Sequence, residues 1–162
     1  MEVESATSLF YQSDPGIWKN SLLPSGKLRQ WLEQGTIAPV PYTTLSLADQ
    51  ADHRQLNEAF LRGGFEAPLN WYKSALYGID KDHEAAITES DLVITHPVSF
   101  IVGENDVVGR PEIASDAAAR GTKQGHLPDV NVEVINGTGH WMMLEQPYAT
   151  FQALVSLANR RS

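Results

Sequence analysis

The chain contains no cysteine, which excludes disulfide scaffolds, cysteine-ligated zinc and thiol catalysis. Positive charge is scarce: 12 Lys+Arg stand against 20 Asp+Glu, for a net charge of −8. No basic run occurs anywhere. Phosphate recognition needs clustered cations, so neither a nucleic acid nor an anionic membrane surface is an expected partner. No apolar stretch approaches the roughly 20 residues that span a bilayer, and no membrane span is expected. The acidic opening Met1-Glu2-Val3-Glu4-Ser5 leads into no signal-peptide core, and the tail Asn159-Arg160-Arg161-Ser162 carries no recognised address. A soluble, cytoplasmic protein is the default expectation. The histidines at 53, 83, 96, 126 and 140 show no metal-ligand spacing. Asp82-His83-Glu84 reads as a solvated turn, because consecutive helical residues diverge. Gly103 and Gly109 flank no phosphate-loop or dinucleotide frame. No metal or cofactor is expected.

What is present is ordinary globular material. The 162 residues are 42% hydrophobic and 20% charged, a length typical of one domain and enough to bury a core unaided. Residues 1–91 read as helices and loops. Leu28, Trp31 and Leu32 share a helical face that Gly35 terminates, and Pro39 and Pro41 prevent continuation. Ser46 followed by Asp49 is an expected N-cap, opening a helix with Leu56, Ala59 and Phe60 on one face and Gly63-Gly64 at its end. Pro68 is expected at the first position of a helix that aligns Leu69, Tyr72, Leu76 and Ile79.

From residue 92 the texture changes. Val98-Ser99-Phe100-Ile101-Val102, bounded by Pro97 and Gly103, reads as a buried parallel strand. Pro111 to Arg120 is Ala-rich and helical, with Gly121 expected beyond its end. Val130, Val132 and Val134 alternate through a second strand that ends at Asn136-Gly137. Phe151, Leu154, Val155 and Ala158 form the expected apolar stripe of a terminal helix. Strand, helix, strand, helix is the α/β pattern.

Open α/β sheets place their sites just past the C-terminal ends of strands. Gly103-Glu104-Asn105-Asp106 follows the first strand, and Asn136-Gly137-Thr138-Gly139-His140-Trp141 follows the second. If the strands are parallel neighbours, Asp106 and His140 meet at one sheet edge. A carboxylate there accepts the imidazole N–H, fixes its tautomer and raises its basicity. Spacing alone balances this against a plainer reading, an Asp in a strand-end turn and a His packed beside Trp141.

Three segments bear a family likeness. Gly64-Phe65-Glu66-Ala67-Pro68-Leu69-Asn70-Trp71-Tyr72, then Pro97 with Gly103-x-x-Asp106, then Gly139-His140-Trp141 with Glu145-x-Pro147, resemble the C-terminal portion of epoxide hydrolases of the α/β-hydrolase fold. The likeness runs from about Ser8 and is strong after residue 60. The Pro-Leu-Asn-Trp-Tyr segment is fairly specific to that branch, whereas the other two are shared by many hydrolases of the fold. The implied architecture is α/β, a partial α/β-hydrolase fold. Residues 1–91 would be a helical cap segment, and residues 92–162 the last two core strands with their helices.

The resemblance implies roles. Asp106 would be the charge-relay acid and His140 the base that activates water against an ester formed when a nucleophilic aspartate opens the epoxide. Tyr72 would donate to the epoxide oxygen, as a phenol can stabilise a developing alkoxide; by spacing alone it would be core. Trp71 and Trp141 would pack or line the substrate pocket. Glu145 would stabilise a loop or the following helix, and Glu104 is the fallback acid. The implied substrate is a small apolar epoxide, converted to a diol without cofactor or metal.

The frame for a nucleophile is lacking. No Gly-x-Asp-x-Gly or Gly-x-Ser-x-Gly elbow occurs, and Gly78-Ile79-Asp80 reads as a helix end. The His-Gly-x-Pro oxyanion segment is absent, and neither Tyr11 nor Tyr42 matches a second cap tyrosine. The expectation is that these residues are the tail of a chain about twice as long, or are completed by a second chain or a second copy. An inactive or binding remnant, and dehalogenase or esterase chemistry, remain alternatives; Asn70-Trp71-Tyr72 argues against the last two.

Overall fold

The computed structural model describes residues 3–12, 14–39 and 47–160. The expected cap Ser46, and Tyr42, lie outside the described residues. Before residue 98 the described chain is helical: α1 (Val3–Phe10), α2 (Lys27–Glu33), α3 (Leu47–Gly63) and α4 (Glu66–Tyr77), with short helical turns between α1 and α2 and after α4. After it come β1 (Val98–Gly103), α5 (Pro111–Gln124), β2 (Val130–Ile135) and α6 (Pro147–Asn159), preceded by the turn Met142–Glu145.

The two strands pair in parallel, Val98 opposite Val130 through Gly103 opposite Ile135. Helix α5 makes the crossover that parallel pairing requires, and both α5 and α6 pack on the strands. Arg160, at the end of α6, donates to the Val98 carbonyl and to the side chains of Asn131 and Asp129, tying that helix to the N-terminal end of the sheet.

The first strand reads as buried and the second as alternating. Most of their residues are only half-buried, and only Gly103 and Ile135 are fully so. Two strands give each other one hydrogen-bonded edge, and parallel strands are covered fully only in larger sheets.

Helix α5 also runs further than expected. Gly121 sits inside it, and the helix ends at Gly125, whose φ of 79° suits glycine. Ala114, Ala118 and Gly121 form its buried face, and a Cβ at Gly121 would lie 2.5 Å from Leu127 Cδ1. Close packing by Leu127 outweighs the roughly 1 kcal/mol that a mid-helix glycine costs.

Helix α4 begins at Glu66, two residues before Pro68, and its apolar face points outward. Leu69 is 44% exposed, Tyr72 64% and Leu76 82%. The stripe expected on α6 is likewise turned to solvent at Phe151 and Leu154, while Ala153 is buried. Such faces are apolar surface without a covering element.

The most buried helix is α1, where Ser5, Ala6, Thr7, Ser8 and Leu9 are all inaccessible. Its hydroxyls are bonded: Ser5 Oγ donates to the Thr36 carbonyl (2.7 Å), Thr7 Oγ1 to Asn57 Oδ1 (2.7 Å), and Ser8 Oγ accepts from Ala38 N–H (3.2 Å). Buried polar groups persist only when paired in this way.

Candidate functional site

The parallel register brings two turns to the C-terminal edge of the sheet. Beyond Gly103 the chain turns through Glu104 and Asn105 to Asp106. Beyond Ile135 it runs through Thr138 and Gly139 to His140. The turns are in direct contact: Asn105 N–H donates to the Thr138 carbonyl at 2.8 Å. The approach depends on glycine at 103, where a Cβ would lie 2.1 Å from the Gly139 carbonyl oxygen.

Asp106 and His140 meet as a hydrogen-bonded pair, with His140 Nδ1 2.8 Å from Asp106 Oδ2. The Asp106 side chain is 4% exposed and the His140 side chain 36%. The other carboxylate oxygen, Oδ1, accepts from Val108 N–H (2.8 Å) and Gly109 N–H (3.0 Å). Asp106 is thus fixed by its own turn and directs one oxygen at the imidazole. With Asp106 as a carboxylate, Nδ1 is the donor and Nε2 keeps its lone pair. That arrangement suits a general base.

The imidazole is held between indoles. Trp18, 6% exposed, packs against it with ring centroids 5.2 Å apart, and Trp141 meets it edge-on at 5.2 Å. Trp141 Nε1 donates to the Phe10 carbonyl (2.7 Å), and its ring stacks on Tyr11 at 4.7 Å. Burial raises the Tyr11 phenol above its ordinary range. Trp18, Phe10 and Tyr11 carry no local sequence signal for this role, since they come from the far end of the chain.

Glu104, the fallback acid, is engaged elsewhere, and the hydrogen-bond partner of His140 is Asp106. Glu104 Oε2 accepts from Gly137 N–H at 2.8 Å. Glu145 Oε2 accepts from Gly139 N–H at 2.8 Å. Tyr72 lies on α4, and no hydrogen bond or ring contact joins it to Asp106 or His140 among the described residues. Trp71, 80% exposed, is beside it. The structure therefore brings Asp106, His140 and Trp141 together and leaves Trp71 and Tyr72 exposed on α4.

Two openings adjoin the pair. A crevice of about 10 Å³ reaches His140 between Gln12, Asp14, Trp18, Asn105 and Gly139, about the room one water needs. A wider cleft of about 580 Å³ borders Asp106, with Leu23, Val107, Val108 and Ile113 among its apolar lining and charges of both signs, Lys19 and Arg110 against Glu104 and Glu112. Among the described residues, no group of three or more His, Asp or Glu is placed to hold a metal ion. No helix among them is long and apolar enough to cross a membrane.

The chain is similar in sequence to two bifunctional epoxide hydrolases. It is 27% identical over 100 residues to the Rattus norvegicus protein and 25% identical over 103 residues to the Sus scrofa protein. The matches cover 60% and 62% of this chain and 16% of each relative. In three dimensions it matches two laboratory-evolved variants of potato epoxide hydrolase, with TM-scores of 0.55 and 0.54 at 20% identity. Those matches cover 98% of this chain and 46% of the potato chains. No protein-family model matches. The chain spans less than half the length of each of these proteins. Its architecture is part of an α/β-hydrolase fold, and its sequence is epoxide hydrolase-like.

Proposed function

We propose that this chain carries the water-activating part of an epoxide hydrolase-like enzyme, with residues 1–91 as its cap segment and 92–162 as part of its core. The observation that carries the reading is the Asp106–His140 hydrogen bond of 2.8 Å, at the strand edge where α/β sheets hold their sites. The likeness to the rat, pig and potato proteins supports the choice of substrate class.

In the proposed reaction an aspartate carboxylate from outside the described site attacks one epoxide carbon. The carbon–oxygen bond breaks, and the alkoxide takes a proton from the Tyr72 phenol. A hydroxyalkyl ester results. His140 Nε2 then takes a proton from water as its oxygen bonds to the ester carbonyl carbon. Asp106 accepts from Nδ1–H and stabilises the imidazolium. The tetrahedral intermediate collapses, the diol leaves as its alkoxide oxygen takes the proton from His140, and the carboxylic acid left behind releases its proton to solvent, restoring the carboxylate. Tyrosinate is reprotonated from solvent. A polypeptide bearing the rest of the sheet, or a second copy, covers the exposed apolar faces of α4 and α6.

The test supplies the carboxylate from solution. Styrene oxide is incubated with the protein, with and without formate, and phenylethanediol is measured. Formate-dependent diol formation is expected, and His140→Ala lowers it by about a hundredfold. Equal rates for the protein and His140→Ala, or no formate-dependent rate above buffer, defeats the reading.

A further inference from the structure

The loop that presents His140 is held by two carboxylates from different segments. Gly137 N–H donates to Glu104 Oε2, and Gly139 N–H, one residue before the histidine, donates to Glu145 Oε2, each at 2.8 Å. Carbonyls of the same loop are also engaged: Thr138 by Asn105 N–H at 2.8 Å and Asn136 by Gln146 Nε2 at 3.0 Å. Thr138 between them is fully buried.

The two carboxylates differ in surroundings. Glu104 lies at the surface, where water competes for its bond. Glu145 is half-buried, and its second oxygen, Oε1, is inaccessible to solvent without a hydrogen-bond partner among the described residues. Burying an unpartnered carboxylate oxygen is costly. An amide-to-carboxylate bond is charge-assisted and stronger than a neutral one. Glu145 thus holds the site's histidine at some expense, through the N–H of the residue before it.

We propose that Glu145 is a positioning residue for His140, with Glu104 as a weaker second latch. By fixing the Gly139 peptide, Glu145 sets where the imidazole emerges and keeps Nδ1 within hydrogen-bond reach of Asp106. Its consequence for water activation rests on the functional reading above, but the positioning itself does not.

The test reads the histidine directly. In protein labelled with ¹⁵N-histidine, the His140 Nδ1–H proton bonded to Asp106 is expected at low field, assigned by its loss in Asp106→Ala. Glu145→Ala is expected to remove or broaden that signal while the amide resonances of α5 hold their positions. Glu145→Gln, which keeps an acceptor oxygen, is expected to restore it, and Glu104→Ala to weaken it less. If Glu145→Ala does not fold, Glu145→Asp, one methylene shorter, is read in the same way. An unchanged His140 signal in the folded Glu145 variant overturns the proposal. Because the signal is independent of turnover, failure of the positioning and failure of the proposed hydrolysis are separate results.

Discussion

Replacing Gly103 by alanine tests the close approach on which the site depends. Its Cβ would lie 2.1 Å from Gly139 O, 2.8 Å from Thr138 O and 2.9 Å from Gly139 C, all backbone atoms of the loop that carries His140. Carbon–oxygen contacts settle near 3.3 Å, so the loop must retreat by about 1 Å. That retreat stretches the 2.8 Å bond from Asn105 N–H to Thr138 O beyond hydrogen-bonding range and draws His140 from Asp106. Overpacking costs about 1–3 kcal/mol, and the lost bond adds about 1 kcal/mol. A chain of this size then loses roughly 5–15 °C in Tm. A displacement of that extent at a reacting group lowers turnover by about a hundredfold. Thermal unfolding by circular dichroism and the formate-dependent diol assay read both effects. Gly63→Ala is the control, since a Cβ there meets nothing within 4 Å. A Gly103→Ala protein with unchanged Tm and an unchanged His140 ring signal would refute the reasoning.

Three further outcomes are expected. Asp106→Ala strips the acceptor from His140 Nδ1, Val108 N–H and Gly109 N–H and should cost about 1–3 kcal/mol, read by urea unfolding; an unchanged midpoint contradicts the pairing. Desolvation, opposed by Glu4, holds the His53 pKa below its ordinary value. The unfolded chain therefore binds the His53 proton more readily, and stability should be complete above about pH 6.5 and fall as pH drops through the folded-state value. His53→Gln should flatten that part of the Tm profile, and an identical profile tells against it. The exposed apolar surface of α4 and α6, including Leu76 at 82% and Phe151 at 57%, should make the protein self-associate at micromolar concentration. Sedimentation as a 17.9 kDa monomer with cooperative unfolding at dilution contradicts this.

The strand-bearing half was the legible half. Val98–Gly103 and Val130–Ile135 announce themselves by β-branched runs between turn residues, and helical spacing separates them. Parallel pairing then follows, and with it the meeting of two turns in which Asp106 and His140 are the polar residues that face each other. What could not be read depends on distant partners. Helix α1 looks like a polar segment, yet it is buried because Thr36, Ala38 and Asn57 supply partners for its hydroxyls. Trp141 and Phe10 are bonded across 131 residues of sequence, which no local pattern encodes. Helical periodicity located the apolar stripes of α4 and α6 but not whether anything covers them. The extension of α5 through Gly121 was missed because glycine reads as a stop, whereas here it admits Leu127.

The central claim is that Asp106 and His140 activate water against an ester. Its most direct measurement is hydrolysis of the formate ester of phenylethanediol, the species that formate would form from styrene oxide, by the protein and by His140→Ala at neutral pH. A rate above buffer that falls about a hundredfold in the variant is the predicted result. Identical rates for the two proteins would contradict the account.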